Sequence, residues 1–291
     1  MAGFSSFAIG DSIFKHLGDS YSVFTIGLFN GIFALMVICG VCAREGVLKT
    51  VLRTKFVKLH IFRGFLITGQ ILCTVYAFKF LPLASTYALV FVAPFVTALL
   101  AVPILKEHIS AKKMAAVVAG FTGVLIILRP GMIPIEAASF IAIAGACMFA
   151  LSSVLVRYIG RRTENEHAMT YVMYVELVIV LACFVLSLTD FVWPAPFDIF
   201  LLAIAGVLGA AGVIFVTKGF IHAKAGIAAS FHYVQILWGI FLGYLFFDDV
   251  LDLYTGLGAA IVVGSGLFLI ICEQKEKDAE EDIKISQTAI K

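Results

Sequence analysis

Few residues of this chain can do chemistry, and most of those few stand inside long apolar runs. Asp11 follows Phe7-Ala8-Ile9-Gly10, and Glu176 sits within Tyr174-Val175-Glu176-Leu177-Val178. His232, Gln235 and Trp238 recur at intervals of three, just ahead of Gly239 and Gly243. On a helix that spacing puts an imidazole, an amide and an indole on one face. Such a face suits a flat, polar organic ligand, and an imidazole titrates near neutral pH. The plainer reading is a packing Trp238 and a His232 bonded only to a backbone carbonyl. Tyr87 and Phe91, one turn apart, are expected as the opposite wall, with Gln70 as a hydrogen-bonding partner.

A charged side chain at mid-bilayer costs about 3 kcal/mol on insertion scales, so each needs a partner or a wet cavity. Asp11 has two readings. It lines a cavity and meets a cationic or hydroxylated substrate, or it lies near the interface and pairs with Lys15 four residues on. Glu176 either carries a coupling proton or stays protonated and bonds a neighbouring helix. Glu107 and the pair Asp248 and Asp249 fall at helix ends, where solvation or capping of the next helix is expected. Arg63 is expected at phosphate headgroups, and Lys79 at the opposite end of the same span, snorkelling. Pro94 is expected to bend its helix.

The elements that must hold these groups are membrane spans. Hydrophobic residues make up 62% of the chain and charged ones 14%, with a mean hydropathy of +1.05. A soluble domain has roughly 45–50% apolar and about 25% charged residues. Ten apolar segments, near residues 2–17, 21–43, 62–81, 85–105, 111–128, 134–158, 168–190, 197–220, 226–247 and 250–272, approach the roughly 20 residues a spanning helix needs. Residues 273–291 read as a charged, frayed tail. The 25 glycines fit close helix approach in lipid. Cys39 and Cys42 form a C-x-x-C without a second pair or a His cluster, and all six cysteines read as small apolar filler. No cleavable signal peptide is evident: residues 1–17 lack a basic start and contain Asp11.

Basic residues set an orientation. Arg44, Lys49, Arg53, Lys55, Lys58, Arg63, Lys106, Lys112, Lys113, Arg157, Arg161, Arg162, Lys218, Lys224 and the tail lysines fall on one side of the ten spans. Lys15, Lys79 and Arg129 fall on the other, with the acids Asp248, Asp249 and Asp252. The positive-inside rule places both termini in the cytoplasm of a cell with this chain in its inner membrane.

The second half repeats the first. Phe7-Ala8-Ile9 through Lys15-His16-Leu17-Gly18 matches Phe149-Ala150-Leu151 through Arg157-Tyr158-Ile159-Gly160, an offset of roughly 140 residues. Lys79 and Lys218 correspond, as do Glu107 with its following Gly120 and Gly123 and the pair Asp248 and Asp249 with Gly264 and Gly266. Residues 1–131 and 132–272 are the expected copies, with 273–291 as a cytoplasmic tail. Five spans per copy is odd, so the copies are expected in opposite orientations, a plan of secondary transporters with alternating access and a midplane site.

The residues carry a family resemblance over nearly the whole chain. It rests on Arg63-Gly64, on Tyr76-Ala77-Phe78-Lys79-Phe80-Leu81-Pro82-Leu83-Ala84, on Pro94, on Glu107, and on Gly120-Phe121-Thr122-Gly123-Val124 ending in Arg129-Pro130-Gly131. In the second half it rests on Tyr233-Val234-Gln235-Ile236-Leu237-Trp238 and Gly243-Tyr244-Leu245-Phe246-Phe247-Asp248-Asp249. The chain resembles the EamA-type permeases of the drug/metabolite transporter superfamily. The resemblance implies an all-α basket of ten helices in two inverted five-helix repeats, spans one, three, four, six, eight and nine around a central cavity, and spans five and ten packed outside it. It implies transport of a small polar metabolite such as a vitamin, an amino acid or an S-adenosylmethionine-like solute. Riboflavin-type and S-adenosylmethionine-type carriers are the most similar branches.

No Walker loop, H-E-x-x-H or Ser/His/Asp arrangement is present, so neither ATP-driven transport nor an enzyme is expected, and no cofactor or metal. The partners expected are a small-molecule substrate and the lipid bilayer; a net charge of +2 gives no reason to expect nucleic acid, and a homodimer is open to such a chain. The alternatives to a transporter are a non-transporting scaffold, which would fill the central cavity with apolar side chains, and a membrane-embedded lipid-modifying enzyme.

Overall fold

A computed structural model of the chain describes residues 2–106, 110–129, 136–162, 166–222, 234–249 and 252–289, with backbone alone over 216–222, 234, 273 and 276–289. The described residues form helices: α1 (Ala2–Leu17), α2 (Val23–Arg44), α3 (Leu48–Val51), α4 (Val57–Phe80), α5 (Leu83–Val90), α6 (Ala93–Leu105), α7 (Ala111–Leu128), α8 (Ala137–Gly160), α9 (Ala168–Ser187), α10 (Pro196–His222), α11 (Val234–Phe247) and α12 (Leu253–Ala289). Eight helical stretches are long and apolar enough to cross a membrane, α5 and α6 counting as one. The chain is a multi-pass membrane protein. Its outer surface agrees: Phe65, Phe184, Phe197, Phe200, Leu237 and Tyr244 are all more than half exposed, as side chains facing lipid are.

Several boundaries differ from expectation. α4 starts at Val57, five residues before the apolar run, and so takes in Lys58 and His60 ahead of Arg63. The span from 85 is broken: α5 ends at Val90, and α6 begins at Ala93 with Pro94 in its first turn. Proline has no N–H to give the carbonyl four residues back, so the helix stops there. α12 continues to Ala289, so the tail is helical rather than frayed. α1 has 16 residues and is about 24 Å long, shorter than the roughly 30 Å hydrocarbon core.

The packing has a two-fold pattern. α1 lies against α10, and α8 lies against α4; α2 lies against α10, and α4 against α9. Shifting each helix to its place in the other copy turns the first contact of each couple into the second. α2 with α9, α5 with α11 and α7 with α12 pair across the same shift. Glycines permit the closest crossings. A Cβ on Gly258 would stand 2.6 Å from the Gly123 carbonyl oxygen, and one on Gly64 would stand 2.6 Å from the Val178 Cβ. The largest core cluster joins α4, α5, α6, α7, α11 and α12 through Phe78, Leu89, Phe95, Val124, Leu242 and Val262. The six cysteines are free thiols.

Candidate functional site

α1, α5 and α11 meet where the chain's best-placed carboxylate lies. Tyr87 Oη donates to Asp11 Oδ2 at 2.8 Å. Tyr87 is 3% exposed and packs edge-on against Phe78. Asp11 keeps accessible surface, although its partner Tyr87 is enclosed. The Tyr87 ring reaches Asp11 because α11 offers no side chain at Gly239: a Cβ there would stand 2.5 Å from Tyr87 Cδ2. One residue earlier on α11, Trp238 Nε1 donates to Ser5 Oγ of α1 at 2.8 Å. An acidic oxygen, a phenol and an indole thus stand around one junction of the two copies.

The expected site residues are brought together in part. Asp11 and Tyr87 are joined directly, whereas Trp238 on α11 bonds Ser5, six residues before Asp11 on α1. Gln235 is buried at the start of α11. His232 lies outside the described residues. Gln70, half-buried on α4, donates to Thr74 Oγ1 at 3.1 Å. Phe91 stands just past the end of α5, 1% exposed within the apolar core cluster. Glu176 is 8% exposed, and its Oε2 has no hydrogen-bond partner.

Lys15 does not pair with Asp11. One turn further along α1, its Nζ meets Asp249 Oδ2 at 2.7 Å and the Leu81 carbonyl at 3.2 Å, above the Phe247 ring. The same Asp249 oxygen accepts the Leu83 N–H at 3.1 Å. Asp249 is therefore neither solvated nor a cap of the next helix; it caps α5 from across the bundle. Asp252 takes the capping role at α12 through the Thr255 hydroxyl and N–H and pairs with Arg129 at 2.6 Å. Arg129 and Asp248 adopt left-handed backbone, φ 46° and 51°, a conformation that favours glycine. A recess between Pro82, Ser85, Gly239 and Asp249 has about 40 Å³, room for a few waters and too small for an organic solute. The Lys15 end is thus latched above Asp11.

At the far end of α4 lies a group that sequence reasoning missed. His60, fully buried, meets Glu166 with Nε2 and Oε1 3.2 Å apart. The imidazole stacks on Tyr174 and meets the Tyr171 ring edge-to-face. Arg63 is 6% exposed, not at a headgroup: Nε donates to the Ser152 carbonyl of α8 at 3.4 Å, and the guanidinium lies over Tyr171. Tyr174 Oη donates to the Leu52 carbonyl at 2.9 Å. His60 Nδ1, Arg63 Nη1 and Glu166 Oε2 are each buried without a hydrogen-bond partner. The sequence signal was available. His60 and Arg63 lie three apart ahead of an apolar run, and so do Tyr171 and Tyr174.

A family model described as the EamA-like transporter family matches residues 1–129 and again 137–272. The chain belongs to that family. The double match agrees with the two-fold packing. The family member is similar to an S-adenosylmethionine uptake transporter of Rickettsia prowazekii, 24% identical over 94% of this chain and 92% of that one. It is also similar to a riboflavin transporter of Vibrio cholerae, 27% identical over 96% and 93%, and to a pseudopaline exporter of Pseudomonas aeruginosa, 27% identical over 89% of each chain. A solved crystal structure shares the fold at a TM-score of 0.65 and 15% identity, covering 94% of this chain and 96% of that one. This EamA-like protein is a transporter of a small metabolite, not an enzyme. Among the described residues no group of His, Cys, Asp and Glu could hold a metal ion.

Proposed function

We propose that this transporter moves a small organic cation, with S-adenosylmethionine and its chemical kin as the first class to test, by alternating access of two inverted five-helix repeats. The observation that carries the reading is Asp11, a carboxylate between the copies with one oxygen held by Tyr87. A cation entering such a site replaces lost hydration with a fixed negative partner, and the aromatic face of Trp238 adds cation–π attraction. The S-adenosylmethionine carriers among the relatives support this choice. Riboflavin remains the second class, favoured by the flat polar surface that Trp238, Tyr87 and Gln235 would offer.

In this reading ten spans comprise the eight long stretches together with α1 and α11, and both termini lie in the cytoplasm of the inner membrane. The Lys15 end then faces outward. The latch of Lys15, Asp249 and Leu81 holds the outer mouth shut, and the solute reaches Asp11 when it parts. Glu176, buried without a partner for Oε2, is a candidate for a coupling proton, to be tested against the other buried titratable groups.

The test is uptake into liposomes holding the purified protein. S-adenosylmethionine, riboflavin and a panel of amino acids are offered with and without an imposed proton gradient. Saturable flux of S-adenosylmethionine, reduced at least tenfold in Asp11→Asn, is the expected result. Riboflavin flux with an unaffected Asp11→Asn would move the site to α11 and the solute to the second class.

A further inference from the structure

Resting on the transport reading, we propose that His60 and Glu166 form a proton-binding pair that couples transport to protons at the cytoplasmic side. The pair bridges the two copies: His60 is on α4 of the first, and Glu166 precedes α9 of the second. Arg63 on Ser152 of α8, Tyr174 on Leu52 and the two tyrosines of α9 on His60 cross the same boundary. Alternating access must alter this boundary, so a proton held here has different affinities in different states of the cycle. That difference in affinity is what coupling requires.

The geometry suits a proton. With Nε2 directed at Glu166 Oε1, a neutral His60 is the Nε2–H tautomer, leaving Nδ1 as a bare acceptor. Nδ1 has no hydrogen-bond partner. A proton from cytoplasmic water adds to that lone pair without breaking the Nε2 contact, and His60 becomes an imidazolium facing a carboxylate. The added charge strengthens the tie between α4 and the start of α9, so protonation favours the joined state and release favours parting. The charged and titratable groups around the imidazole are Arg63 on its own helix, Glu166 before α9, and Tyr171 and Tyr174 on α9. Burial opposes the imidazolium most, Glu166 favours it by hydrogen bond and by charge, and Arg63 opposes it. Glu164 lies outside the described residues.

The internal repeat supplies a control within the same molecule. The segment before α2 and the start of α10 are the counterparts of the segment before α9 and the start of α4. There Tyr21 Oη donates to Asp198 Oδ2. There the acid, Asp198, is on the helix and the proton donor, a phenol, is on the segment, the reverse of His60 on its helix and Glu166 on its segment. A phenol keeps its proton throughout the physiological range, whereas an imidazole does not.

The pair is tested first without any solute. Protein in nanodiscs with ¹³C-labelled histidine is followed by NMR from pH 5 to pH 8, with His60→Gln assigning the His60 signal. A ring signal that titrates in this window, with its midpoint lowered in Glu166→Gln by about one unit or more, is expected. A ring signal that does not move overturns the proposal. The second arm uses S-adenosylmethionine as probe in proteoliposomes. His60→Gln should retain exchange of internal for external probe while losing, at least tenfold, accumulation driven by a pH gradient. Gradient-driven accumulation at the wild-type level in both His60→Gln and Glu166→Gln overturns the coupling role. Its loss in Glu176→Gln alone reassigns the proton to Glu176. If the probe does not move in the wild-type protein, the cationic reading fails while the NMR arm still decides whether the proton site exists.

Discussion

Two joints tie the first copy of the helix bundle to the second at equivalent places, and they are built from different chemistry. At one, Tyr21 donates to Asp198 and accepts the Ala195 N–H at 3.1 Å. The hydrogen bond to Asp198 holds the Tyr21 phenol above its ordinary range, so the proton is fixed. At the other, His60 and Glu166 are enclosed, with Arg63 beside them and three polar atoms unmatched. On the proposed reading the first joint keeps its proton throughout the cycle. The second holds titratable charge out of water, an expensive arrangement whose benefit lies in being rearranged. Two copies of one fold have divided the labour between a fixed end and a variable one.

The largest effect expected of any single change is at the variable joint. Glu166→Leu strips His60 of its carboxylate partner and removes a negative charge that favours the buried Arg63 guanidinium, and leaving a buried charge uncompensated costs about 3–5 kcal/mol. Thermal denaturation in detergent should show that loss. The double variant Arg63→Met with Glu166→Leu should regain most of it, because removing both charges removes the stranded one. Asp198→Ala at the fixed joint should cost about 1.5–3 kcal/mol, the scale of a hydrogen bond to a charged group. Equal losses at the two joints would erase the distinction drawn between them.

Next in size is the junction that lies between the two joints. Gly239→Ala puts a methyl 2.5 Å from Tyr87 Cδ2. Overpacking of this kind costs about 1–3 kcal/mol, and the ring must turn away from Asp11 to relieve it. Flux of the proposed cation should fall at least tenfold while the protein stays in the membrane. Gly264→Ala on α12 is the control, since its methyl would meet nothing within 4 Å. Equal flux in the two variants would remove the Tyr87–Asp11 contact from the site.

Much of this architecture was legible in the chain. Apolar runs about as long as the bilayer is thick leave helices as the spanning element, and the matched Phe7 and Phe149 segments announced two copies. Pairings were not legible. Asp11 finds Tyr87 76 residues away, and Lys15 finds Asp249 234 residues away. Spacing along one helix offered only the local pair of Asp11 and Lys15, and tertiary packing overrode it. His60 was hidden by its setting. Lys55, Lys58 and Arg63 make residues 44–63 read as a basic loop, yet α4 starts at Val57 and turns His60 and Arg63 inward. Local charge marks the side of the membrane; it does not reveal which charges the partner helices enclose.

The latch at the Lys15 end should respond more mildly than the His60 cluster, because Lys15 and Asp249 keep 13% and 18% of their side-chain surface exposed. Lys15→Met or Asp249→Asn should cost about 1 kcal/mol, near the upper end for pairs that water still reaches. The mouth it covers should open more often. A cysteine at position 85, in a chain otherwise lacking reactive thiols, should then react severalfold faster with a membrane-impermeant maleimide added outside. The exchanged pair Lys15→Asp with Asp249→Lys should return the rate toward that of the wild type. Unchanged labelling in the single variants would mean that the contact is structural and that the mouth opens elsewhere.

The smallest effect is expected at the last ionic contact of that end. Burial pushes the Asp252 carboxyl up, but the Thr255 hydroxyl, Arg129 and the N–H groups of Thr255 and Tyr254 outweigh it, and the net position is below the usual carboxylate range. A carboxyl whose folded value is depressed stabilises the fold above its unfolded value of about 3.9 and loses that contribution as pH falls through the folded value. At neutral pH the contribution is complete, so Asp252→Asn should lower thermal stability slightly there. Below about pH 3.5 variant and wild type should converge. Asp252 is 43% exposed as a side chain, so salt screens the Arg129 part of its stabilisation and leaves the helix cap. A melting-temperature difference at pH 7 that shrinks only partly on raising salt separates the two contributions. A difference that vanishes in salt would assign the whole effect to Arg129, and with it a second ionic tie between the copies beside Lys15.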